Sequence, residues 1–365
     1  MTRTVKIGAM ADIFAAVPHL LGFVPHRSFV LIVVGSDPLQ PNRTEMVARV
    51  SLEQLAEDPT ALAQQLTHRV LDRPVREIIG LAVCPPPPDT DSALPYRTEI
   101  LALTHAIRQL GFCVNEVGHV PDFIEGARWR SYFDKERTGQ LPDPFATPLA
   151  AAVVSEGFVT ARSRGELASA FIPADPHDRI RLEPYIASAL RQSRADQALP
   201  NAARDRLTRA DVAIAAAANG ALPTQDVEIA DLIATFSVEP FRSATFSVDS
   251  TDLLRGVQGL TTYLWRFAHE PCASHLAAVA GLHAYLLGES VRAGIAANAG
   301  TVCLPLLVLL RRIVDAQLPP QELRVVTSEG AAEARAHLTG LTPTSAEPPA
   351  TADRAGETAD HLSPE

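Results

Sequence analysis

Apolar and polar positions along the first 120 residues alternate between two periods. "SFVLIVV" (28–34) is apolar without interruption after its serine, has strand length and is rich in β-branched residues, which predicts a buried strand. Ahead of it, "DIFAAVPHLLG" (12–22) predicts a helix with Ile13, Phe14, Val17, Leu20 and Leu21 on one side, and "TVKIGA" (4–9) reads as a short strand. "GSDPLQPNRT" (35–44) is a turn-rich connection. "EMVARVSL" (45–52) returns as a strand, pairing antiparallel with 28–34.

A βαβαβ pattern follows. Asp58 before Pro59 predicts a helix start, with Leu62, Leu66 and Val70 recurring one turn apart. "EIIGLAVC" (77–84) is a strand stopped by "PPPPD". "PYRTEILALTHAIRQLG" (95–111) is a helix with Ile100, Leu103, Ile107 and Leu110 inward and Gly111 at its end. "FCVNEVGHV" (112–120) is the next strand. Strands alternating with helices predict parallel pairing, and residues 1–145 read as an α/β domain on a mixed, partly parallel sheet. Beyond it, "PLAAAVVSEGFV", "SRGELASAFI", "RADVAIAAAANG", "TQDVEIADLIATF", "STDLLRGVQGLTTYLWRFA", "CASHLAAVAGLHAYLLG", "SVRAGIAANAG" and "LPLLVLLRRIVDAQ" all carry helical periodicity. Residues 146–338 are therefore expected to form an all-α domain. Residues 339–365, dominated by Pro, Ala, Thr, Ser and acids, read as a disordered acidic tail. The small residues of 273–299 around a glycine turn predict one close antiparallel helix pair.

Composition narrows the setting. The chain has 365 residues, 47% hydrophobic and 20% charged, with a net charge of −10. That sign gives no overall attraction to nucleic acid or anionic membrane. No apolar run reaches the ~20 residues of a bilayer span. The N-terminus lacks the apolar stretch of a secretory signal, and the 4 cysteines are far apart without a CxxC pair. A cytoplasmic protein with reduced thiols is expected.

The segments "AAVPHLLGFVPHRSFVLIVV", "GARWRSYF", "PLAAAVVSEGFVTARSRGELASAFIP" and "HLAAVAGLHAYLLGESVRAGIAANAG" resemble, in order and spacing, an actinobacterial family, the domain of unknown function family 4192, over most of residues 5–320. The resemblance implies a shared fold and supplies no activity. Two positions depart from the family pattern: its Gly-Asp-Gly-Ala turn is "GESV" at 288–291 here, and an Arg-Asp pair is Arg242-Ser243.

The candidate chemistry is sparse. No P-loop, Rossmann glycine fingerprint, HExxH or GxSxG is present. His19, His26 and Ser28 have the residue types of a nucleophile–base pair, but Gly22 and Pro25 mark a helix end and a corner, and the structural reading is favoured. Asp89 and Asp91 in "PPPPDTDS" could hold a cation in a loop, against a solvated proline-rich turn. His269, Cys272 and His275 lack further ligands for a metal and read as a packed corner. The candidate binding site is an anion site from Arg128, Arg130, Arg162, Ser163 and Arg164: the first pair, two residues apart, shares a face if that segment is extended, and Ser163 caps a helix whose N-terminus would add backbone donors. No cofactor or metal is expected. The leading reading is a non-catalytic binding or regulatory protein for a small anionic ligand or a protein partner. An enzyme with a pocket between the two domains and an adaptor using the C-terminal helices stay open.

Overall fold

The computed structural model describes residues 8–36, 43–68, 70–71, 73–86, 94–246 and 250–340. The expected strand at 4–9, the aspartate pair in the proline-rich loop and the tail from 341 lie outside them, apart from Gly8 and Ala9. Ala9 precedes α1 (Met10–Leu21) as its N-cap. The chain continues through β1 (Ser28–Gly35), β2 (Thr44–Ser51), α2 (Leu52–Glu57), α3 (Pro59–His68), β3 (Val75–Val83), α4 (Arg97–Gln109), β4 (Val114–Val120), β5 (Arg128–Ser131) and β6 (Thr138–Gln140).

These strands form one mixed sheet in the order β2-β1-β3-β4-β5-β6. β1 runs antiparallel to both β2 and β3, and only β3 and β4 pair in parallel. The crossover from β2 through α2 and α3 thus passes over β1 to reach β3, and the one through α4 joins adjacent strands. Burial explains the pattern of "SFVLIVV". Phe29, Leu31 and Val33 pack on one face against Leu52, Leu55, Leu66, Ile100, Leu103 and Ile107 of α2–α4. Val30, Ile32 and Val34 pack on the other against Phe14, Val17 and Leu21 of α1. A strand covered on both sides has no polar alternation. Asp58 caps α3 as predicted, its Oδ1 accepting from Thr60 N at 3.0 Å and Ala61 N at 2.9 Å. Leu110 is a correction: it lies past the end of α4 and is 45% exposed.

A 3-10 turn (Pro144–Ala146) leads into a run of helices: α5 (Pro148–Ser155), α6 (Arg164–Ser169), α7 (Pro176–Asp196), α8 (Pro200–Ala218), α9 (Asp226–Ser237), α10 (Phe241–Ala244), α11 (Thr251–Trp265), α12 (Cys272–Leu286), α13 (Ser290–Ala299), α14 (Pro305–Ala316) and α15 (Pro320–Thr339). The central one is α12, buried at every residue but His275. That explains its all-round apolar sequence. It packs against α9, α11, α13, α14 and α15. Within the alanine-rich α12–α13 pair the contact face is therefore interior, with Ala277, Ala280, Ala284, Ala293 and Ala296 all buried. α6 and α13 also reach back to the sheet: Leu167 and Ile295 join the cluster that α1 makes with it. No helix among the described residues is long and apolar enough to cross a membrane.

Candidate functional site

The five residues expected to share an anion lie on opposite faces of the sheet. Trp129, between Arg128 and Arg130 on β5, meets Phe14 of α1 edge-on, ring centroids 5.4 Å apart. Side chains alternate along a strand, so both arginines point to the other face, where Arg130 pairs across strands with His119. Arg162, Ser163 and Arg164 open α6, whose Leu167 packs on the α1 side. The helix start is also capped by its own side chains. Ser163 Oγ accepts from Glu166 N at 3.1 Å, and Glu166 Oε2 accepts from Arg162 N at 2.5 Å. The structure thus does not bring the two groups together.

The carboxyl ends of β3 and β4, a common place for α/β sites, bring Cys84 and His119 together. Cys84 O accepts from His119 Nε2 at 2.9 Å, which leaves His119 Nδ1 buried without a partner. Burial pushes the imidazole down to about 4 and the Cys84 thiol up to about 11. Neither group changes charge near neutral pH, so this pair packs and has no acid–base role there.

Ser28 is likewise structural. Its hydroxyl donates to His26 O at 2.7 Å and accepts from Arg49 Nε at 2.8 Å, while the His26 side chain is exposed. At the other predicted corner, His275 is held by Arg242, which also pairs with Glu239 at 2.5 Å.

A different place has the form of a site. Three segments meet where the sheet layer joins the helices: the last turn of α1, the strap 156–161 after α5, and the turn from α12 to α13. Gly22, at φ +76°, ends α1 and turns the chain so that Gly22 O accepts from Ala161 N and Ala161 O from Val24 N, each at 2.9 Å. His19 fastens the same corner. Pro144 O can only accept, so the proton sits on His19 Nε2 (2.8 Å), and Nδ1 accepts from the Thr160 hydroxyl (2.8 Å). From the helical side, Arg255 donates to Glu156 O and covers the Phe158 ring, 4.4 Å from its centre.

The three segments enclose a cavity of about 200 Å³. Leu20, Leu21, Val153, Phe158, Leu167 and Val291 give it apolar walls, and Glu156, Glu289 and Arg292 are its charged members. Glu289 immediately precedes α13, with 21% of its side chain exposed, 3.1 Å from Arg292 Nε. Burial raises its carboxyl above the ordinary glutamate value, against the pull of Arg292 and Arg255. A second cavity of about 350 Å³ adjoins it along Leu20, Leu21, Gly288, Ser290 and Val291 and extends to β2, Arg73, Tyr285 and residues 317–321.

The molecule is thus of the class in which a mixed α/β sheet is completed by a helical lobe, with a cleft at their junction. The chain belongs to a family of unknown function, DUF4192, whose model matches residues 11–321. No curated protein and no solved structure matches it. The cleft is not the candidate site expected from sequence, although His19 and the turn at 288–291, both singled out there, line it. A signal was nevertheless present: "PHLLGF", "SEGFVTARS" and "LLGESVR", from three of the four segments that carry the family resemblance, are the ones that line it.

Proposed function

We propose that this chain is a binding protein whose site is the junction cleft, and that the ligand presents a cationic or hydrogen-bond-donating group to Glu289 with a short apolar body along Leu20, Phe158 and Val291. The observation that carries this reading is a mostly buried carboxyl group in a cavity of mixed apolar and polar walls, in surroundings that disfavour its charge. Such a group detracts from stability at neutral pH and gains a use when a ligand satisfies it. Binding is favoured over catalysis because the cleft's arginine is paired with Glu289 and both ring nitrogens of His19 are engaged. The interior position of α12 speaks against the adaptor reading for that helix. A cytoplasmic setting suits the four free thiols, of which Cys113 and Cys303 are exposed.

The test is thermal shift with n-hexylamine as probe. The amine should raise the melting temperature of the wild type. A hundredfold excess over Kd corresponds to about 2.7 kcal/mol of added stability. Glu289→Gln should lose that rise without melting lower than the wild type in the absence of amine. An equal rise in the variant overturns the assignment of Glu289.

A further inference from the structure

The two adjoining cavities differ in the charged side chains that line them. The smaller has two acids, Glu156 and Glu289, against one arginine, Arg292. The larger has two arginines, Arg43 and Arg73, against one acid, Glu45. They share the wall Leu20, Leu21, Gly288, Ser290 and Val291, so one extended molecule lying against this wall would have one end at Glu289 and the other beside Arg73.

Arg73 is the group that makes the second end specific. Its guanidinium lies between β2 and the α14–α15 connection, where Nη1 donates to Glu45 O at 3.0 Å and Nη2 to Gln317 O at 2.6 Å. These partners are carbonyl oxygens, which fix the fork in place and bring no counter-charge of their own. Among the described residues no carboxylate lies within ion-pair distance of it. The Tyr285 hydroxyl, donating to Leu318 O at 2.7 Å, fixes the same connection, and Gln317 holds its turn at φ +50°. A preorganised, partly buried arginine held by neutral carbonyl oxygens suits an oxyanion.

From this arrangement we infer that the cleft takes an elongated zwitterion, its ammonium or other cationic head at Glu289 and its carboxylate or phosphate at Arg73, with an apolar spacer against the shared wall. This rests on the binding reading above and adds the second charge and the extended shape. It also places the anionic part of the ligand at Arg73, away from the five residues first considered.

Isothermal titration calorimetry of the full chain tests it with four probes: γ-aminobutyrate, ε-aminocaproate, ω-aminocaprylate and n-hexylamine. At least one of the amino acids should bind tenfold or more tightly than n-hexylamine, with an optimum in chain length where the carboxylate reaches Arg73. Arg73→Gln should bring that amino acid down to the level of n-hexylamine and leave n-hexylamine unchanged, and Arg73→Lys should restore part of the difference. The chain-length optimum is measured on the wild type, so it stands even if the Arg73 variants fold poorly. If n-hexylamine binds through Glu289 and no amino acid binds more tightly, the zwitterion inference is wrong and the Glu289 reading survives. If neither the amine nor the amino acids bind, both fail.

Discussion

Arg206, on α8, is 1% exposed, and its guanidinium is surrounded by Asp196, Asp231 and Thr235, with Nη2 2.8 Å from Asp196 and Nη1 2.6 Å from Asp231. Asp196 is itself buried, so removing the arginine strands a carboxylate away from water. Arg206→Ala is expected to lower unfolding stability by about 3–5 kcal/mol, read from the denaturant midpoint. Three histidines set the response to acid. Burial pushes His119, His275 and His283 down from the ordinary 6.5 to about 4. The folded protein keeps them neutral while the unfolded chain protonates them near 6.5. The stability they provide is complete above that value and is lost as pH falls toward 4. Melting temperature should therefore drop steeply between pH 6.5 and 4. His283→Leu should flatten part of that slope, and an unchanged slope would show that this imidazole is not held neutral. Glu289 has the opposite sign. A carboxyl raised by burial favours folding below its ordinary value and opposes it above, which is why Glu289→Gln is expected to cost no stability at neutral pH.

At the level of elements, the fit of α1 on the sheet depends on one missing side chain. A Cβ at Gly118 of β4 would come within 2.4 Å of the Phe14 ring. Gly118→Ala should destabilise by roughly 1–3 kcal/mol through overpacking, and Phe14→Leu in the same chain should recover part of the loss in chemical denaturation. The strap 156–161 is pinned from both sides, by His19 through Thr160 and by Arg255 through Glu156 and Phe158. Arg255→Ala removes the helical-side anchor. Amide exchange should quicken at the strap while α12 stays protected, with a global change of roughly 1 kcal/mol. Slow exchange at the strap in that variant would show that the α1-side bonds through His19 and Gly22 suffice to hold it.

Across the whole molecule, the α1 side of the sheet is finished by residues from beyond its own stretch of chain. Ala161, Leu167 and Ile295 join Phe14, Ile32 and Trp129 in one cluster. A fragment ending at residue 145 would leave that surface open. Calorimetry of the full chain should accordingly show one cooperative transition. Two resolved transitions, the first matching the isolated fragment, would support two independently folding domains divided at the boundary expected from sequence.

The sequence by itself determined the elements whose cause is local. Uninterrupted apolar runs marked β1 and β3, helical spacing marked α1, α4, α11 and α12, and Asp58-Pro59 and Gly22 marked helix ends, because burial period and backbone preference are written in neighbouring residues. The family and the mixed-sheet class were legible for the same reason. Short β5 and β6 were missed, since strands of four and three residues carry too few positions to show a period. The polar helices α7 and α15 went unnamed, because packing on one narrow stripe holds them and periodicity hardly marks it. The site was beyond sequence reading on different grounds. Residue type suggested the arginines of β5 and α6, and only the alternation of β5 about Trp129 put them on separate faces. Glu289 looked like an ordinary acid at a helix start. Its character comes from Leu20, Phe158 and Leu167, which are more than a hundred residues away along the chain and reach it only when the helices close over the sheet.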